Sequence, residues 1–169
     1  MLRFAVLASC LALAPACRIS IEGDDDGITP SDASMVDAPI SPSCQAATMH
    51  SDLAWIENNV FKQSCIFSGC HNGSGAAGAL DLRVGMSHGT LVNVDSALDP
   101  TRKLVVPGAP DQSYLLMMIK HIAPEDMSPP ASPPPEDIGF MPQNAGGATM
   151  CVQKREALQR WIEAGAPND

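Results

Sequence analysis

Apolar residues along this chain fall into short clusters, and three of the clusters carry helical spacing. Leu53, Ile56 and Val60 stand at i, i+3 and i+7, which puts them on one face of a helix expected over 52–64, with Trp55 and Phe61 widening the apolar side. Ser51 is a residue type that caps helix N-termini, and Asp52 and Glu57 place acidic charge in the N-terminal half. A second helix is expected over 111–121. Pro110 suits a first-turn position, Asp111 favours the N-terminus, and Tyr114, Leu115, Met118 and Ile119 share a face. Met117 and Met118 read as core, the commoner use of methionine. The third helix runs from about Cys151 to Ala164, with Val152, Leu158, Trp161 and Ile162 on its apolar side and Gly165 as a stop. The pieces Ala79-Leu80-Asp81-Leu82, Leu91-Val92-Asn93-Val94 and Leu104-Val105-Val106 are shorter and read as brief extended segments, the last ended by the Pro107-Gly108 turn.

The first 43 residues lack this patterning. Arg3 supplies a positive start, and Phe4 to Ala14 is an apolar stretch too short to span a bilayer. Leu13-Ala14-Pro15-Ala16-Cys17 has the form of a lipoprotein cleavage site, with Pro15 an unusual residue inside it. Leu7-Ala8-Ser9-Cys10 matches that form better by residue type but leaves almost no apolar stretch before it. Residues 1–16 are therefore read as a signal peptide and Cys17 as the lipidated residue; simple secretion with an unmodified Cys17 is the alternative. Residues 17–43 form a tether of scattered Pro, Ser and Asp around the acidic run Glu22-Gly23-Asp24-Asp25-Asp26-Gly27, too poor in apolar residues to fold. The run lacks the ligand order and glycine turn of a calcium loop. An exported protein, periplasmic or attached to the outer membrane, follows from either reading, in a compartment where disulfides persist. The folded domain then spans 44–169.

Within it, Cys65-Ile66-Phe67-Ser68-Gly69-Cys70-His71 carries the chemistry. Two cysteines with a histidine directly after the second form the pattern of covalent c-type haem attachment, usually written with two spacer residues; here there are four. Each thiol adds across one vinyl group, and the histidine reaches the iron from the proximal side. Ser68 and Gly69 are small enough to let a longer spacer loop out. On these residues alone a plain Cys65–Cys70 disulfide stands equally open. A zinc site built on Cys65, Cys70 and His71 lacks a fourth ligand, and neighbouring ligands on one chain suit a tetrahedron poorly. The glycine-rich stretch Asn72 to Gly78 either lets backbone approach a flat ligand or is a plain surface loop; it is no phosphate loop, since no Lys-Ser/Thr follows. A long proline-rich loop over 123–147 contains Met127 and Met141, and loops of that length are usually functional or disordered.

Charge and composition narrow the classes. A formal net charge of −9 with no basic stripe argues against nucleic acid and for a partner with a basic patch. No Ser-His-Asp order, paired carboxylates or HExxH motif points to catalysis. Aromatic residues make up only 4% of the chain, so a small core would need a staple or a cofactor to wrap.

The order of these features resembles the planctomycete-type cytochrome c domains, class-I-like cytochromes often carried on exported lipoproteins. The resemblance rests on the C-x-x-x-x-C-H motif, Gly78-Ala79-Leu80-Asp81-Leu82, Val105-Val106-Pro107-Gly108 with Ser113-Tyr114-Leu115-Leu116, Met141-Pro142, and Arg160-Trp161-Ile162-Glu163-Ala164-Gly165-Ala166. It covers nearly all of 44–169. It implies an all-α, class-I cytochrome c-like fold with long irregular loops around one haem c. It further implies Cys65 and Cys70 as thioether attachments, His71 as proximal ligand and Met141 as distal ligand. Met127, also shortly before a proline, is the runner-up; His88 and His121 rank below both. Because the first and last helices pack together in class-I cytochromes, a Cys44–Cys151 disulfide is expected. The function implied is single-electron transfer to a redox partner protein, from a domain held to the membrane by a lipid anchor. The alternative is a disulfide-stabilised lipoprotein binding domain that has lost the haem. A small haem enzyme would need an open distal position, which a methionine ligand closes.

Overall fold

The computed structural model describes residues 40–67, 70–73, 75–143 and 150–169. The leader read over 1–16, the candidate lipid-bearing Cys17 and the tether up to residue 39 lie outside the described residues, as do Ser68 and Gly69 of the cysteine motif.

Helix α1, Pro42–Ala47, begins inside the stretch read as tether. No apolar periodicity announces it. Ser41 caps it through its side chain, and Pro42 sits at the first turn, where its missing N–H is no loss. It is held from the far end of the domain. Cys44 is disulfide-bonded to Cys151, 107 residues on. Arg160 donates from Nη2 to the carbonyls of Ala47 at 2.6 Å and His50 at 2.9 Å, satisfying groups that a helix end leaves open.

Helix α2 covers 53–64 in three parts: α-helical Leu53–Ile56, a π-helical turn Glu57–Phe61, and α-helical Lys62–Ser64. Its cap is Asp52 and not Ser51, because the Asp52 carboxylate accepts from the Trp55 amide at 2.8 Å. Leu53, Ile56, Val60 and Phe61 are buried as the spacing requires. Two polar side chains lock this helix in place. The buried Glu57 carboxylate accepts from the Gly85 amide at 3.0 Å and the Ser87 hydroxyl at 2.6 Å. The buried Lys154 donates to the Asn59 carbonyl at 2.7 Å and to Gln63 Oε1 at 2.9 Å.

Helices α3, Ser87–Leu91, and α4, Tyr114–Met118, are short. The helix expected over 111–121 is broken in two. A 3₁₀ turn, Pro110–Gln112, precedes α4, and Ser113 between them is extended. The buried Ser113 hydroxyl accepts from the Val106 amide at 2.9 Å and donates to the Ala109 carbonyl at 2.9 Å, bonds that compete with helix continuation. The extended pieces meet only at isolated bridges, Val92 with Val105 and Asp95 with Lys103, and no strand forms among the described residues. Helix α5, Val152–Glu163, closes the domain, capped by Cys151. Ala157, Leu158, Trp161 and Ile162 are fully buried on its inner face and meet α2 and α4 in one apolar core. Among the described residues no helix is long and apolar enough to cross a membrane.

Candidate functional site

Helix α2 delivers the chain into the cysteine motif. The Cys65 amide makes the last helical bond, to the Phe61 carbonyl at 2.8 Å, and at Cys65 the backbone leaves helical geometry and the chain turns. The loop then folds back on itself. The His71 amide donates to the Cys65 carbonyl at 3.1 Å, and the His71 carbonyl accepts from the Leu82 amide at 3.0 Å.

This loop walls a cavity enclosing about 750 Å³ of empty space, counting its open mouth. Cys65, His71, Ala77 and Gly78 line it from the motif and the glycine-rich loop. Tyr114, Leu115 and Met118 line it from α4 and Leu158 from α5, with Met141 and Met150 from either side of the undescribed 144–149. The lining is almost wholly apolar.

His71 has the tautomer a metal ligand needs. Its Nδ1 lies 3.1 Å from the Ala77 carbonyl oxygen. A carbonyl only accepts, so Nδ1 carries the proton and Nε2 keeps its lone pair. Metal-bound histidines almost always fix their second nitrogen this way. Burial pushes the imidazole pKa below its ordinary value, which the carbonyls of Ala77 and Leu80 partly oppose.

The two motif cysteines differ. Cys65 is partly buried and faces the cavity, and burial, with the neighbouring Cys70 thiol adding to it, pushes its pKa up to about 12. Cys70 is exposed and is not among the lining residues. Both are free thiols here, whereas Cys44 and Cys151 are bonded.

Of the two methionines named from sequence, the cavity takes one. Met141 lines it, with its amide anchored to the Met118 carbonyl at 2.8 Å. Met127 is buried in a separate cluster with Tyr114, Met117 and Met118 and does not line it. The other histidines are engaged elsewhere: His88 Nε2 with the Ala166 carbonyl at 3.0 Å, and His121 Nε2 with Gln159 Oε1 at 2.5 Å. No group of three or more His, Cys, Asp or Glu that could hold a metal ion occurs among the described residues, so the zinc reading gains nothing.

Sequence reasoning placed Tyr114 and Met118 in the core and gave no role to 96–98. All of them line the cavity. Helical spacing marks a face as apolar but cannot tell a packed face from a cavity wall. Tyr114 is the informative one. It is 3% exposed. Burial raises its pKa, with the nearby Asp99 charge adding and Arg102 opposing.

Comparison with protein-family models, with curated proteins and with solved structures finds no match.

Proposed function

We propose that residues 44–169 form a class-I-like c-type cytochrome domain that transfers single electrons, exported and tethered through a lipid on Cys17. One observation carries the reading. The histidine that follows the C-x-x-x-x-C motif faces an apolar cavity with Nδ1 hydrogen-bonded to a backbone carbonyl, and a methionine lines the same cavity. A single haem c fits this donor set: an apolar cavity lined by an imidazole whose Nδ1 is held by a backbone carbonyl, by a thioether and by a thiol.

Cys65 and Cys70 would hold the group through thioethers, His71 would be the proximal ligand and Met141 the distal one. Bound there, the haem supplies a one-electron iron couple. The chain's own part is to hold the His71 ring by its Nδ1 proton, to keep water out with the apolar lining, and to offer a thioether, which raises the potential relative to two nitrogen ligands. Low polarity around the site favours the form with less net charge. The formal net charge of −9 suits a redox partner presenting a basic patch.

A second reading keeps the same cavity as an apolar ligand site on a disulfide-stabilised lipoprotein domain without haem. The exposed position of Cys70, outside the lining, is what favours it. Production with a c-type maturation system separates the two. Colour that survives acid–acetone extraction and denaturing electrophoresis supports the cytochrome, and colourless wild-type protein leaves the binding domain.

A further inference from the structure

His71 is gripped by a segment that the motif itself does not include, and whose central residue, Leu82, also lines the cavity. Asp81-Leu82-Arg83 runs alongside His71-Asn72-Gly73. Leu82 donates its amide to the His71 carbonyl at 3.0 Å. The residues on either side of Leu82 close on each other. Arg83 Nε lies 3.0 Å and 3.1 Å from the two Asp81 carboxylate oxygens, Arg83 Nη2 lies 2.7 Å from Oδ2, and the Arg83 amide donates to Oδ1 at 3.1 Å. The nearby Gly73 amide adds to the pull that lowers the Asp81 carboxyl pKa. The Arg83 guanidinium covers Gly73 so closely that a Cβ there would stand 3.6 Å from its carbon. Gly73 has φ +95°, a conformation that favours glycine. Asp81 is tied onward to α3, since the Thr90 hydroxyl donates to its carbonyl at 2.7 Å.

We infer that Asp81 and Arg83 are positioning residues for His71. Their fork-to-fork pair holds the 81–83 segment on the 71–73 segment, and that pairing fixes the backbone from which the imidazole reaches Ala77 and the cavity. The inference rests on the cytochrome reading. Arg83 keeps the pair open to solvent, its side chain 49% exposed, while the Asp81 carboxylate is largely buried at 12%. Exposed pairs contribute little to global stability. A bidentate pair does fix direction, which lysine or a neutral amide cannot reproduce.

The test compares Asp81→Asn, Asp81→Glu and Arg83→Lys with Asp95→Asn, which breaks the surface pair of Asp95 with Lys103. In the loaded protein the readouts are the electron paramagnetic g-values and the midpoint potential, with thermal unfolding alongside. Asp81→Asn and Arg83→Lys shift both site readouts in the same direction, Asp81→Glu returns them at least part-way, and Asp95→Asn leaves them unmoved. In haem-free protein the readout is amide exchange, where Asp81→Asn speeds exchange at Leu82 by at least tenfold while α5 amides stay as slow as in wild type. Site readouts unchanged by Asp81→Asn, or Leu82 exchange no faster than in wild type, overturn the inference. An equal acceleration across α5 would show a global stability role and overturn it too. Wild-type protein that takes up no haem overturns the cytochrome reading itself, and the positioning role falls with it.

Discussion

At the scale of single residues, the account turns on which side chains share the cavity. Met141 and Met127 are alike in the sequence: each lies in the proline-rich loop shortly before a proline. They differ in place, one lining the cavity and the other 2% exposed in a packed cluster. Their truncations should therefore separate. Met141→Ala should remove the thioether-to-iron charge-transfer band, lower the potential and open the iron to cyanide or carbon monoxide, with little change in the unfolding midpoint. Met127→Ala should leave the spectrum alone and cost ~2–5 kcal/mol of stability, as core truncations do. Absorption spectra and denaturant unfolding of the two variants check both halves. His71 and Cys65 stood out in the sequence through the adjacency of Cys70 and His71, although a plain Cys65–Cys70 disulfide fitted the same residues equally well. The roles of Tyr114 and Met118 were not, since a cavity wall and a core face carry the same periodicity.

At the scale of elements, the helices were legible where spacing is long and obscured where side chains rewrite the backbone. Helix α5 lies within a residue of its expected ends, because twelve residues of consistent spacing outweigh local detail. The start of α2 moved to Asp52 because Ser51 and Asp52 are both capping types and only geometry chooses between them. The break at Ser113 arises from its own hydroxyl, and α1 has no apolar stripe to find. The π-helical turn of α2 also leaves no trace in composition, yet it sets up a test. Lys154 supplies the partner for the Asn59 carbonyl, and burial lowers its pKa. Lys154→Met keeps the apolar stem and removes the amine, so a denaturant titration should show a loss of ~1–3 kcal/mol, the cost of an unpaired buried carbonyl. The 81–83 segment predicts a pH effect. Hydrogen bonding from Arg83 holds the Asp81 carboxyl down to about 2. A carboxylate depressed in the folded state stabilises above its unfolded value of ~3.9, and that contribution is lost as pH falls through the folded value. Amide exchange at Leu82 should therefore accelerate between about pH 4 and pH 2, and in Asp81→Asn this acid limb should be absent.

At the scale of the whole molecule, one covalent link and one cavity organise a chain with few aromatic residues. The Cys44–Cys151 disulfide closes a loop of 107 residues and joins α1 to the start of α5. By chain entropy a loop of that length is worth up to ~5 kcal/mol. Cys44→Ser with Cys151→Ser should lower stability by that order in chemical unfolding, while leaving α2 and the cavity lining in place. The Cys44–Cys151 staple, between residues 107 apart, came only as what the family resemblance implies, but the motif and the last helix could be read from sequence because each is local in pattern. The cavity could not, because it is made of residues from 61 to 158 that meet only after folding. The central claim is that this cavity holds one covalently attached haem, and the most direct measurement is a pyridine haemochrome spectrum with intact mass on protein made with a c-type maturation system. The account predicts one haem per chain, bound through thioether links and retained after denaturation. A wild-type protein of unmodified polypeptide mass with no haemochrome bands would contradict it.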